Sequence, residues 1–176
     1  VEYISFVSSR RFRLWCVLIV SLVLIPFGLS YAYEKWEQYH YVKAIPAELA
    51  ANNSILIESS SGLLEGCGVA IYELSPKSRK DIEQGGGLTF LANARQGRGY
   101  PKDPFYSYAA WRETPVPSSW FESTELAGFA CVQNRVLLYR TIADALTSHG
   151  SYFTTTPGGT LIVSPQRQII ILVHFG

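Results

Sequence analysis

Between Leu14 and Tyr33 the chain carries twenty residues without a formal charge, directly behind the cluster Arg10-Arg11-Phe12-Arg13. A helix on the surface of a soluble protein shows a polar stripe at a period of 3.6 residues. Leu14 to Ile25 shows none and is apolar on every face. At about 1.5 Å per residue, twenty residues make roughly 30 Å of helix, the thickness of a bilayer's hydrocarbon core. In lipid the backbone must satisfy its own hydrogen bonds, so a single span has to be helical. Residues 14–33 are therefore expected to form a transmembrane helix in contact with membrane lipid.

The flanks set the orientation. Arg10, Arg11 and Arg13 precede the span, whereas Glu34, Lys35 and Glu37 follow it with mixed sign. The positive-inside bias places residues 1–13 in the cytoplasm. Residues 34–46 then form a juxtamembrane stalk and residues 47–176 an exported domain, giving a single-pass protein of the cytoplasmic membrane. Trp15 at one end, with Tyr31, Tyr33 and Trp36 at the other, suits two interfacial aromatic belts. A cleaved signal peptide is the competing reading, with Ser30-Tyr31-Ala32 as cleavage site. The length of the apolar run and its aromatic flanks favour a retained anchor. Cys16 lacks the small residues before it that lipoprotein processing needs.

Beyond Tyr33 remain 143 residues, enough for one domain with its own core. Fifteen Lys/Arg less the three of the flank leave twelve there, against thirteen Asp/Glu once Glu2 is set aside. So balanced a domain is no nucleic-acid binder, which would be strongly basic. Its two cysteines, Cys67 and Cys131, are expected to pair in an oxidising compartment. The alternative makes Cys67 a nucleophile on the turn Gly66-Cys67-Gly68, in a small exported hydrolase with His149 or His174 as base.

Tyr31 to Lys43 is expected to continue the span as helix, broken by Pro46, with one further turn up to Ala51. Ser54–Glu58 and Cys67–Leu74 read as paired strands. Ser75-Pro76 is a helix start, hydroxyl cap followed by proline, for a helix over Lys77–Gln84. Gly85-Gly86-Gly87 stops it; no Gly-Lys-Ser/Thr follows, so this is no phosphate loop. A second helix is expected from Leu88 to Gln96, an extended segment from Glu125 to Val132, and a helix from Arg135 to Ser148 capped by Asn134. Ser151–Thr155, Thr160–Ser164 and Gln168–His174 read as an antiparallel meander. The unbroken run Ile169–Val173 implies a central strand covered on both faces. The sum is an α+β fold: an antiparallel sheet of about five strands with helices on one face.

Gly97 to Phe121 is the least ordinary stretch, dense in aromatic rings with arginines between them. Such residues are enriched at binding hot spots. Arg98, Tyr100, Tyr106, Trp111, Arg112 and Trp120 are the candidate partner-binding set, and a packed cap over the sheet is the alternative. No metal or cofactor is expected, because His40, His149 and His174 stand in no recognised ligand spacing. Glu58, Glu65, Glu73, Glu113, Glu122 and Glu125 supply carboxylates without a paired arrangement. The function expected is a membrane-anchored envelope protein whose exported domain binds a protein partner. An accessory subunit of an envelope complex and an immunity-type protein are the two forms considered.

Overall fold

The computed structural model describes residues 2–61, 66–122, 124–132 and 135–175. The expected cap Asn134 and Glu65 lie outside them, as do the side chains of Arg10, Arg11, Glu122, Glu125 and Val136. The chain divides into two compact units, Val1–Tyr39 and His40–Gly176.

The first unit is helical. α1 runs from Glu2 to Ala44 and passes through Pro26. From Phe12 to Trp36 every side chain except that of Ser21 is exposed. Its most apolar eighteen-residue window has a mean hydropathy of 2.2. Among the described residues this is the one helix long and apolar enough to cross a membrane.

The second unit begins within the last turns of α1. Its strands are β1 (Ser54–Ser61), β2 (Gly66–Glu73), β3 (Arg112–Glu113), β4 (Tyr152–Thr156), β5 (Gly159–Ser164) and β6 (Ile169–Phe175). Among the described residues they form one antiparallel sheet in the order β1-β2-β6-β5-β4-β3. The fold is α+β with six strands, not five. The added strand, β3, is two residues long and lies inside the aromatic stretch, too short to show any periodicity.

Helices cover both faces rather than one. The α-helices of this unit besides the end of α1 are α2 (Pro76–Gln84), α3 (Leu88–Leu91) and α4 (Arg135–Thr147). Ala70, Tyr72, Leu161, Val163, Ile170 and Leu172 face a core closed by Ile45, Leu49, Ile82 and Leu91. The alternate positions Val69, Ile71, Ile162, Ile171 and Val173 face a second core, closed by Leu126, Leu138, Ile142 and Leu146. A strand's side chains alternate between faces. Burying both sets therefore demands a cover on each side, and one layer of helices cannot supply it.

Two further expectations change. The segment Glu125–Val132, read as extended, is instead largely 3-10 helical: two 3-10 turns within Thr124–Cys131 meet at a kink at Leu126, whose side chain packs into the second core. The helix read over 88–96 is a single turn, Leu88–Leu91, after which Ala94 and Tyr108 continue the burial. The cap at Ser75 is as expected: its Oγ accepts from Ser78 N at 3.0 Å. Ser78 Oγ in turn donates to Glu48 O, which ties α2 to the turn at Ala47–Leu49.

Cys67 on β2 and Cys131 stand at disulfide distance, with Cα atoms 5.8 Å apart and a sequence separation of 64. Closing a loop of that length stabilises the fold by about 4 kcal/mol in the chain-entropy model. The double substitution Cys67→Ser/Cys131→Ser is expected to lose most of this in urea unfolding under oxidising conditions. Under dithiothreitol the wild type should fall to the variant's midpoint; equal midpoints in both conditions would exclude a stabilising bridge.

Candidate functional site

A helix C-terminus leaves its last carbonyls without intrahelical donors. α1 ends against the domain, and residues 96–108 supply those donors. Gly99 N donates to Lys43 O at 3.0 Å, and the Tyr108 hydroxyl donates to Ala44 O at 3.0 Å. Arg98 spends its backbone N–H and its Nε on Ile45 O, at 3.2 and 3.0 Å, and a terminal nitrogen on Pro46 O at 3.1 Å. Gly97 permits this approach, since a Cβ there would lie 2.8 Å from Ala44 O. The Gln96 amide gathers the loop from inside, donating to Tyr100 O at 2.6 Å and Asp103 O at 3.2 Å.

The six candidate residues therefore do not converge on one surface. Arg98 closes the helix end. Trp111 is 7% exposed in the first core, and its Nε1 donates to Ala94 O at 2.8 Å. Trp120 is equally buried, but in the second core, where its ring meets Phe153 edge-on at 4.7 Å. Arg112 joins Trp120, its guanidinium 5.7 Å from that ring and 4.8 Å from Phe153. Tyr100 and Tyr106 stack on each other, ring centres 3.8 Å apart and nearly parallel. Two pairs form, and Arg98 and Trp111 stand apart from both.

The Tyr100–Tyr106 pair continues outward. Phe105 meets Tyr106 edge-on at 5.2 Å and is 39% exposed. Asp103 fixes the turn by accepting from Phe105 N at 2.9 Å, and Thr156 Oγ1 donates to Phe105 O. The result is a three-ring ledge on a pinned turn. Burial, with Tyr100 and Asp103 beside it, pushes the Tyr106 phenol up to about 12. At neutral pH it is a hydrogen-bond donor and no nucleophile. Phe105 lies in the aromatic stretch but outside the candidate set, and its place outside the core is what distinguishes it.

Sequence reasoning missed a second feature. Tyr41, near the end of α1, stands with its hydroxyl 2.9 Å from His174 Nε2 on β6, the rings 4.4 Å apart. Burial lowers the His174 pKa to about 4, and its Nδ1 has no hydrogen-bond partner among the described residues. Neither histidine meets Cys67. On β6, His174 pairs with Gly68 and Phe175 with Cys67, so His174 and Cys67 sit at adjacent register positions and point to opposite faces. His149 is exposed just beyond α4.

At the end of the sheet an open groove of about 320 Å³ is lined by Asn52, Glu73, Leu74, Arg167 and Gln168. Its charges are engaged: Asn53 Nδ2 donates to Glu73 at 3.3 Å, and Arg167 lies 3.5 Å from Asp144. Among the described residues no three His, Cys, Asp or Glu side chains are grouped to hold a metal ion.

A long apolar helix followed by an α+β domain with a ledge of rings is the class these features define. No protein-family model matches the chain, and comparisons with curated proteins and with solved structures returned no match.

Two outcomes follow from the burial. Trp111→Ala removes a core ring and its hydrogen bond, and is expected to cost about 3–5 kcal/mol in urea unfolding. A loss under 1 kcal/mol would place the ring at the surface. His174 has its folded pKa below the unfolded value of 6.5. Its contribution is therefore complete above about pH 6.5 and is lost as pH falls towards 4, by about 3 kcal/mol. His174→Gln should flatten that part of the stability profile between pH 7 and 4; a variant falling in parallel with wild type would assign the loss to other groups.

Proposed function

We propose that this chain is a single-pass protein of the cytoplasmic membrane, with its N-terminus inside and its α+β domain outside the cytoplasm. There the domain binds a protein partner, as an accessory subunit of an envelope complex or as an immunity-type protein that blocks a toxin. One observation carries the reading: α1 presents apolar side chains on all sides from Leu14 to Ile25, behind an arginine cluster. A helix uncovered in this way is stable where its surroundings are themselves apolar. The cysteine pair at disulfide distance supports an oxidising compartment for the domain.

For the docking surface, the ledge of Tyr100, Phe105 and Tyr106 is the best-supported choice. Its rings are held by a pinned turn before any partner arrives, so little side-chain entropy is lost on binding. Aromatic side chains on a fixed frame are the usual anchors of a binding hot spot. Trp111 and Trp120 are buried in the two cores and form no part of this surface.

A photo-crosslinking residue in place of Phe105, in intact membranes, is expected to give one discrete protein adduct. The same residue at Lys77, exposed on α2, should give none. Tyr100→Ala should weaken the Phe105 adduct about tenfold, equivalent to about 1.4 kcal/mol, with an unchanged melting temperature. Equal adducts at both positions would remove the ledge from the reading. Release of the protein by alkaline carbonate would remove the anchor.

A further inference from the structure

His174 stands between two glycines. On β6 it pairs with Gly68 of β2 and with Gly159 of β5, and the same row continues to Ser59 and Thr156. Neither glycine has room for a side chain: a Cβ at Gly68 would strike Glu58 O, and one at Gly159 would strike Val173 O. The imidazole therefore has bare backbone on both sides. The ring it meets is that of Tyr41, 4.4 Å away on the last turn of α1.

These surroundings suit one charge state only. The Tyr41 hydroxyl lies 2.9 Å from Nε2, while the buried Nδ1 has no hydrogen-bond partner among the described residues. A neutral imidazole has one N–H and an imidazolium has two. Tyr41 can accept from one of them, so protonation leaves a charge and a donor buried without a partner, a costly state. The titratable groups around it give no relief. His40 and Lys43, one and two positions from Tyr41, do not share its side of the helix. Glu58 on β1 belongs to the next row and the opposite face. Tyr106, on the loop, interacts with Tyr41 and stays uncharged at neutral pH and below. From residues 124–131 it is Gly128 that approaches His174, at its carbonyl. Burial accordingly lowers the His174 pKa to about 4.

Water can reach Nδ1 if β6 leaves the sheet or if the helix end lifts. β6 is central, held by β2 and β5 and buried on both faces. Residues 40–43 are only half-buried, so the helix end yields first. We propose that Tyr41 and His174 form an acid-released latch: when the imidazole takes up a proton, the last turn of α1 lifts from an otherwise intact sheet. Gly99 N donates to Lys43 O, so the loop that carries the ledge loosens with it. Weaker docking at the ledge in acid is a consequence that rests on the function proposed above; the latch itself does not.

The test is hydrogen exchange on the full chain in phosphatidylcholine nanodiscs, corrected for the intrinsic effect of pH on exchange. With the ordinary pKa of 6.5 restored in the open state, opening of residues 40–45 and 97–106 should rise about fifty-fold from pH 7 to pH 4.5. A local opening exposes little surface, so this rise should be insensitive to low urea, unlike exchange in β5 and α4. His174→Gln takes up no proton there and should lose the rise. No rise, a rise kept by His174→Gln, or one that grows with urea in step with β5 and α4 overturns the latch. Should His174→Gln fail to fold, Tyr41→Phe answers in its place. Without the hydroxyl, residues 40–45 should exchange several-fold faster than in wild type already at pH 7, again with no urea response. Wild-type rates in that variant overturn the latch. The stated rise, with no Phe105 adduct at any pH, supports the latch and removes only the docking consequence.

Discussion

β6 is buried on both faces, and that constraint shapes the rest of the domain. Ile169, Ile171 and Val173 enter one core while Ile170 and Leu172 enter the other. Burial of these five side chains contributes on the order of 10 kcal/mol before conformational entropy is set against it. The gain exists only if both sides of the sheet are closed. One side is closed by the end of α1, the turn at Ala47–Leu49, α2 and α3; the other by Trp120, Leu126 and α4. A chain of this size must therefore cross from one face to the other. It crosses at the β3 edge, within the stretch read as a binding loop.

That crossing accounts for the composition of residues 97–121. Tyr108 and Trp111 fill the first core before the chain turns at Arg112–Glu113, and Val116 and Trp120 fill the second after it. Pairing of β3 with β4 holds the turn, and Thr154 Oγ1 donates to Ala109 O at 2.8 Å just before it. The arginines have local work as well. Arg98 satisfies carbonyls following α1, and Arg112 lies over two rings of the second core. Large rings and arginines serve both an interface and a packed crossing, so composition alone does not distinguish them. What distinguishes them is depth: Trp111 and Trp120 are covered, whereas Phe105 is not.

Legibility followed the range of the interactions. The cap at Ser75, the last three strands and the length of the apolar helix depend on neighbours in sequence, and each was read from it. The two-sided burial of Ile169–Val173 was also visible as a run without alternation. Yet the helices were assigned to one face, because nothing local in Arg135–Thr147 or in residues 124–131 says which side of the sheet they cover. β3 was missed because two residues show no period, and the 3-10 helix ending at Cys131 because its burial comes from β2 and β6 rather than from its own pattern. The Tyr41–His174 contact joins residues 133 positions apart and leaves no trace in sequence spacing.

Where the exposed features sit in the sheet bears on how they combine. The aromatic ledge is fastened to the β4–β5 end: Phe105 O accepts from Thr156, and a Cβ at Gly158 would strike the Phe105 ring. β1 is separated from β5 by β2 and β6. A strand added along β1 therefore extends the sheet away from the ledge and covers none of its three rings. The closed edge at β3 enforces the same separation from the other side, because growth of the sheet there would run past the crossing that holds the loop.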